Sequence, residues 1–191
     1  ATNLGINQKI YGRKCEIKEI KDNSLIRSFL NQNHLQGYCK SSVKIGLFYN
    51  NELVSLMTFG KPRFNKNYDW ELIRFCNKIN CNVVGGPSRL FRHFVKNYTP
   101  NTIISYCDIR IFSGELYGLL GFNYSHKSDP NYFYFRGTKL YSRYAYQKHK
   151  LKSMLPEFDP KKSERDNMFD NGYRRIWDCG NKVYVWRKDN V

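Results

Sequence analysis

The sequence predicts a mixed α/β (α+β) fold: a central mixed sheet with helices on both faces, followed by a C-terminal helical and β-hairpin extension. Three observations predict it. Two apolar runs, Val43 to Tyr49 and Leu53 to Phe59, flank Asn50-Asn51-Glu52, which is a hairpin pattern because Asn tolerates the φ > 0 positions of tight turns. Further along, short apolar runs alternate with helical periodicity, the pattern of strand–helix crossover units. After Arg136 the chain turns basic and aromatic.

The elements follow in order. Residues 1–12 read as a linker, 13–136 as the core and 137–191 as the extension. Lys14 to Ile20 alternates and predicts a first strand. Asp22-Asn23-Ser24 offers helix-cap chemistry before Leu25, Ile26, Phe29 and Leu30, so a helix should run to about Asn33. The hairpin comes next, then a strand over Asp69 to Cys76 and an irregular stretch from Cys81 to Gly86. Pro87 should open a helix through about Asn97, with Leu90, Phe91, Phe94 and Val95 on one face. Thr102 to Tyr106, centred on Ile103 and Ile104, reads as a short buried strand of the parallel type. Ser113 should cap a short helix over Glu115 to Leu120 that Gly121 ends. Phe122 to Tyr124 and Tyr132 to Phe135 complete the expected main sheet. In the extension, Tyr141 to Leu155 reads as a basic aromatic helix and Ser163 to Phe169 as a shorter one. Tyr173 to Trp177 and Lys182 to Trp186 read as a hairpin around Asp178-Cys179-Gly180-Asn181.

Lys and Arg number 32 against 16 Asp and Glu, a formal net charge of +16 that suits a phosphate-rich partner. A membrane surface would ask for a basic amphipathic helix or a lipidation motif, and neither is visible. No apolar run approaches the roughly 18 residues of a membrane span, and the N-terminus lacks signal-peptide character, so a cytoplasmic location is expected. Cys15, Cys76 and Cys107 fall in strand-like runs, and the six cysteines match no zinc spacing. His34, His93, His126 and His149 are too scattered to form a metal site, so no metal is expected.

The element order, with Val84-Gly85-Gly86-Pro87-Ser88-Arg89-Leu90 opening the central helix and Leu116-Tyr117-Gly118-Leu119-Leu120-Gly121-Phe122 beyond it, resembles the N-acetyltransferase (GNAT) superfamily over roughly residues 14–136. That resemblance implies a GNAT-like fold and a Gly-rich strand–helix turn holding the pyrophosphate of acetyl-CoA. The chain departs from the family pattern by carrying Val83 where a basic or amide residue is usual and Ser88 where the last Gly is. Pro87 also removes an N–H donor. Phe29-Leu30-Asn31, Asn33-His34, Gly46-Leu47-Phe48-Tyr49, Phe59-Gly60-Lys61-Pro62, Trp70-Glu71-Leu72-Ile73-Arg74, Ser88-Arg89-Leu90 and Ser105-Tyr106-Cys107-Asp108 are similar to the Mom-type phage DNA-modification branch. Lys9-Ile10-Tyr11-Gly12-Arg13-Lys14-Cys15 and Arg175-Ile176-Trp177-Asp178-Cys179-Gly180-Asn181 resemble the C-terminal domain of phage homing endonucleases that carry a Vsr-like or HNH nuclease. On that resemblance, residues 1–8 look like the trailing linker of a nuclease half.

Two sets of residues carry the functional expectations. The DNA-binding set is Arg89, Arg92 and Lys96 on the central helix, with His93 beside them, and Arg136, Lys139, Arg143, Tyr144, Lys148 and Lys150 in the extension. There, cations would neutralise phosphates and Tyr hydroxyls would bond backbone oxygens. A packed aromatic helix with a solvated basic face is the alternative. The transferase set is Arg74, Ser88, Asp108 and Tyr117 for catalysis, with Val84, Gly85, Gly86 and Ser88 for the cofactor. Asp108 follows an apolar strand, where a carboxylate can act as base, and Tyr117 can act as general acid. Inherited scaffold is the alternative there, with Asp108 paired to Arg110 or Arg74 and Tyr117 in the core. Glu16-x-Lys18 lacks the preceding acidic strand residue that a PD-(D/E)xK nuclease needs. The resulting expectation is a GNAT-like module that uses no cofactor and positions a homing endonuclease on duplex DNA. The alternative expectation is a Mom-type N-acyltransferase-like enzyme that uses acetyl-CoA and modifies DNA.

Overall fold

In the computed structural model, which describes residues 8–190, the chain leaves the expected linker early. Residues 1–7 of that linker lie outside the described residues. Gln8–Tyr11 is a strand, β1, and a 3-10 turn over Gly12–Lys14 leads into β2, Glu16–Glu19. Helix α1, Asn23–Asn33, starts where Asp22 accepts from the Ser24 and Leu25 N–H groups. The hairpin β3, Val43–Tyr49, and β4, Glu52–Gly60, turns through Asn50 and Asn51 at φ 50° and 64°. Next come β5 (Trp70–Asn77), β6 (Cys81–Val84), α2 (Gly86–Tyr98), β7 (Thr102–Asp108), α3 (Glu115–Leu119) and β8 (Asn123–Lys127). The chain continues through β9 (Tyr132–Arg136), β10 (Lys139–Ser142), α4 (Lys148–Leu151), α5 (Glu164–Asp170), β11 (Arg174–Trp177) and β12 (Asn181–Arg187).

These elements form two units. Unit 1 takes in the chain up to Cys107, Phe112–His126 and the residues from Lys182 on; unit 2 comprises Asp108–Ile111 and Lys127–Asn181. In unit 1 the seven strands run in the order β2-β3-β4-β5-β7-β12-β8. β2 to β5 are antiparallel neighbours, and β5 pairs with β7 in parallel. β1 lies parallel to β6 as a separate pair, so the stretch from Cys81 expected to be irregular is partly strand. α2 presses Phe94 onto Phe59 of β4 with ring centroids 3.6 Å apart, inside a core that includes Ile45, Leu47, Val54 and Met57. Leu53 and Leu56 of the same strand join Ile26, Phe29 and Leu30 of α1 in a second cluster. The sheet is mixed, with helices on both faces, as expected.

The expected closing hairpin does not form. β11 pairs with β9, whereas β12 joins the large sheet between β7 and β8. The reason lies in β12 itself. Val183 and Val185 pack with Ile104, while Tyr184 and Trp186 join the main core, so both faces are buried. A strand of that kind belongs inside a sheet. Residues 127–181 are therefore an insertion between two strands of unit 1 rather than a tail after it, and β9 is not a main-sheet strand.

Unit 2 is built on the three-stranded antiparallel sheet β10-β9-β11. Its core is Tyr134, Tyr146, Leu151, Leu155 and Met168. Buried Asn167 ties a loop to α5 by donating from Nδ2 to the carbonyls of Asp159, Lys162 and Ser163. The helix expected over Tyr141 to Leu155 is replaced by β10, a 3-10 turn over Arg143–Ala145 and the short α4. The buried members Tyr146, Leu151 and Leu155 are five and four residues apart, a drift that one straight helix face does not hold. Ser142 instead caps the turn by accepting from Tyr144 N–H.

Candidate active site

The site begins with an irregularity in β5. Thr58 faces Arg74 and Phe59 faces Leu72, so Ile73 is an extra residue, a β-bulge. On the other edge, β5 and β7 are in register only from Trp70↔Ile103 to Leu72↔Ser105. Past that point β5 runs on to Asn77 and β7 to Asp108 with no further register pair joining them among the described residues. Two parallel strands that part in mid-sheet leave backbone groups without ladder partners and open a cleft between them.

A pocket of about 140 Å³ lies there, lined by Leu72 to Phe75 of β5, Tyr106 of β7, Phe112 to Tyr117, and His34 and Gln36. Tyr117 is held from two sides. Its hydroxyl receives a hydrogen bond from Ser105 Oγ at 3.1 Å, and its ring stacks on Tyr184 at 4.5 Å. Burial pushes the phenol up to about 12, against the smaller opposing effect of Ser105, so the proton stays on Oη at neutral pH. Arg74 donates from Nε to the Gly37 carbonyl at 3.2 Å and from Nη1 to the Ile73 carbonyl at 2.9 Å. Burial lowers its pKa, yet a guanidinium remains charged at neutral pH. Burial and then the Arg74 charge lower His34 to about 4. Its Nδ1 accepts from the Gln36 N–H, which leaves the ring proton on Nε2. The pocket therefore presents a protonated phenol, a neutral imidazole and the Arg74 guanidinium, with the acidic side chain of Glu115 also in its lining.

A second feature surrounds the start of α2. Gly85 precedes it at φ 72°, and a Cβ there would meet nothing within 4 Å, so the backbone is open to close approach. Pro87 in the first turn gives no N–H, and no acidic residue lies in that turn. A cleft of about 620 Å³ is lined here by Tyr11, Arg13, Val84, Gly85, Ser88, Arg89 and Arg92. Arg89 is anchored by the carbonyls of Gly12 and Cys15. Three guanidinium groups thus gather at a helix N-terminus, a site suited to an anion. Around the same helix, Ser88, Phe91, Arg92, Val95, Lys96, Leu119, Leu120, Gly121 and Trp186 line a largely apolar cleft of about 430 Å³.

The expected transferase residues are therefore divided. Arg74 and Tyr117 share the pocket at the strand opening. Val84, Gly85 and Ser88 line the cationic cleft, with Gly86 packed against the Val83 side chain. The Asp108 carboxylate is held by Arg110 through Nε at 3.1 Å and Nη2 at 2.8 Å, one of the two pairings foreseen. The sequence reading missed Arg13, whose position beside the cradle follows from the β1–β6 pairing. It also passed over His34, which stands in the quoted Asn33-His34 stretch.

The expected DNA-binding residues are spread over several elements. Arg92 and Lys96 lie on α2 beside the clefts. Arg136 ends β9 and stacks over Tyr173, and Lys139 opens β10. Arg143 donates to Asn131 Oδ1 and lies over Tyr132 and Tyr144. Tyr144 is about half exposed; Lys148 and Lys150 are on α4, and Lys150 donates to the Tyr144 carbonyl.

Neither a protein-family model nor a curated protein matches the chain. Among solved structures, an acetyltransferase from Bacillus subtilis in complex with CoA is similar at 13% identity and TM-score 0.50, covering 91% of this chain and 99% of its own. The ribosomal-protein-S18-alanine N-acetyltransferase from Escherichia coli is similar at 10% identity and TM-score 0.51, covering 91% and 93%. The fold is GNAT-like. The homing-endonuclease and Mom-type likenesses find no counterpart in these two structures. The expectation of no cofactor is overturned, because the Bacillus subtilis neighbour holds CoA on this fold. That expectation counted the donors lost at Val83 and Pro87 and overlooked Arg13. No helix among the described residues is long and apolar enough to cross a membrane.

Proposed function

We propose that the chain is an acyl-CoA-dependent N-acyltransferase whose acceptor is an amino group of DNA. The parting of β5 and β7 beside the Ile73 bulge carries this reading, because Tyr117 lines the pocket at that opening between parallel strands. The cradle fits the anionic end of such a cofactor. Gly85 leaves room, and Arg13, Arg89 and Arg92 offset the N–H lost at Pro87. The apolar cleft beside α2 suits the uncharged parts of the molecule. When bound, acyl-CoA supplies an activated acyl carbonyl. Tyr117 Oη holds the proton that a departing thiolate takes up, which requires a phenol protonated at neutral pH, and the proton that the acceptor amine sheds on acylation restores the phenol. Arg74 fixes positive charge beside the reacting centre, and neutral His34 adds no second one. The formal charge of +16 favours a polyanionic acceptor.

The test is calorimetry with CoA, together with mass spectrometry of DNA nucleosides after incubation with acetyl-CoA. CoA should bind, and Arg13→Ala with Arg92→Ala should weaken it by at least about tenfold, the loss of a charged hydrogen bond. Tyr117→Phe should cut acyl transfer by about 100-fold or more while CoA affinity holds. Absence of CoA binding at millimolar concentration would overturn the enzyme reading. CoA binding without any acylated nucleoside would overturn the acceptor.

A further inference from the structure

We propose that unit 2 binds an unpaired segment of DNA in a groove between α5 and β11, stacking a base on Trp177. The DNA identity rests on the acceptor proposed above; the stacking stands on unit 2 alone. The groove measures about 400 Å³ and its lining includes Trp177, Phe169, Tyr134, Arg165, Arg174 and Arg175, with no carboxylate. Trp177 is 57% exposed and Phe169 54% exposed, a large aromatic area to leave in water on one small unit. Trp177 meets Tyr132 in a tilted ring contact at 5.0 Å, which helps to hold it while more than half of its surface stays exposed. Arg174 lies over the Phe169 ring at 3.7 Å and donates to the Phe169 and Tyr173 carbonyls, which fixes its guanidinium plane. Arg175 lies over Tyr132 at 4.1 Å and donates to the Tyr134 hydroxyl.

The nearby acids are engaged. Glu164 accepts from the Tyr132 and Tyr134 hydroxyls and meets Arg175 at 3.4 Å. Asp166 accepts from Ser163, and Asp170 pairs with Lys162. The groove thus combines flat aromatic faces with fixed guanidinium groups. An unpaired nucleotide run matches both, offering uncharged π-faces and a phosphate at every step. A duplex hides its base faces in the stack, and an acidic peptide answers the arginines but leaves the rings unstacked.

The experiment uses the full chain and no acyl donor, so its outcome is independent of catalysis. A fluorescein-labelled oligothymidylate of about twelve residues, within the span of known single-strand sites, is titrated and followed by anisotropy and by tryptophan quenching. Trp177 is the most exposed of the three tryptophans, since Trp186 is buried and Trp70 half-buried, so stacking reads out as quenching. Trp177→Ala should weaken binding by about tenfold or more, and Trp177→Phe, which keeps a ring, by clearly less. Arg165→Ala should lower the log–log salt slope by a little under one. Four results would each overturn the proposal: no quenching, a Trp177→Ala affinity within twofold of the parent, equal binding of the matching duplex, or equal competition by polyglutamate. Preference for oligouridylate by more than about tenfold would overturn the assignment to DNA.

Discussion

Replacing Glu71 by Gln tests how the strand opening is held. The Glu71 side chain has no exposed surface and sits one residue before the last β5–β7 register pair, Leu72↔Ser105. Its carboxylate accepts three bonds from Arg63: the backbone N–H at 2.7 Å, Nε at 2.8 Å and Nη2 at 2.5 Å. Gln turns one acceptor into a donor facing a guanidinium and leaves a positive charge without its partner. Breaking a fully buried pair costs about 3–5 kcal/mol, and the lower end, about 3 kcal/mol, applies here because the stranded Arg63 side chain keeps 34% exposure. For a chain of this size that should lower Tm by roughly 6–12 °C, at about 2–4 °C per kcal/mol. Arg63→Met should cost a similar amount, because it strands the buried carboxylate. The double variant Arg63→Met/Glu71→Leu removes both charges and should return to within about 1–2 kcal/mol of the parent. Urea unfolding followed by circular dichroism on all four proteins gives the coupling energy, expected to exceed about 2 kcal/mol. If the single losses simply add in the double variant, the pair is not what secures β5 there.

Gly114 caps α3 at φ 92°, and a Cβ there would strike the Tyr184 hydroxyl, the ring that stacks on Tyr117. Gly114→Ala should cost about 2 kcal/mol or more and shift the Tyr117 environment in near-ultraviolet dichroism; a neutral substitution would contradict the packing. His34 is held at about 4 in the folded chain against about 6.5 unfolded. The unfolded state therefore binds the proton first, and stability present above pH 6.5 should fall as pH drops toward 4. His34→Asn should flatten that part of a Tm-against-pH profile, and an unchanged profile would remove His34 from the account.

Much of unit 1 was legible because its signals are local. Asn50 and Asn51 specify a turn with positive φ. Asp22 marks the start of α1, and Gly121 at φ 80° ends the α3 segment. The strand-like, two-faced burial of β12 was equally visible in Val183-Tyr184-Val185-Trp186, but a run of side chains does not name its partner strand. The turn at Gly180, φ 76°, imitated a hairpin, since Asp178 Oδ1 accepts from the Gly180 N–H in an Asx-turn that mimics a backbone turn. The site was half legible for the same reason. Gly85 and Tyr117 lie in motifs, whereas Arg13 reaches the cradle only through a strand pairing some seventy residues distant in sequence. The Ile73 bulge is a register shift between two strands, which no single run encodes.

The return of β12 has a consequence for the order in which the molecule can assemble. β7 and β8 flank a place that only β12 fills, and β12 follows the whole of unit 2 in the chain. During synthesis, β2 to β5 can zip as neighbouring hairpins while the edge of β7 stays open, exposing Ile104 until Val183 and Val185 arrive. Unit 2 has its own core and local pairings, so it can collapse during that wait. The Ser128 N–H donates to the Asn181 carbonyl at 2.8 Å, joining the two ends of the insert. That bond shortens the effective loop β12 must close from more than fifty residues to a few, and the entropy of loop closure falls accordingly. Early folding of unit 2 would thereby speed completion of the sheet into which it is inserted, and the slow step would be capture of the last strand.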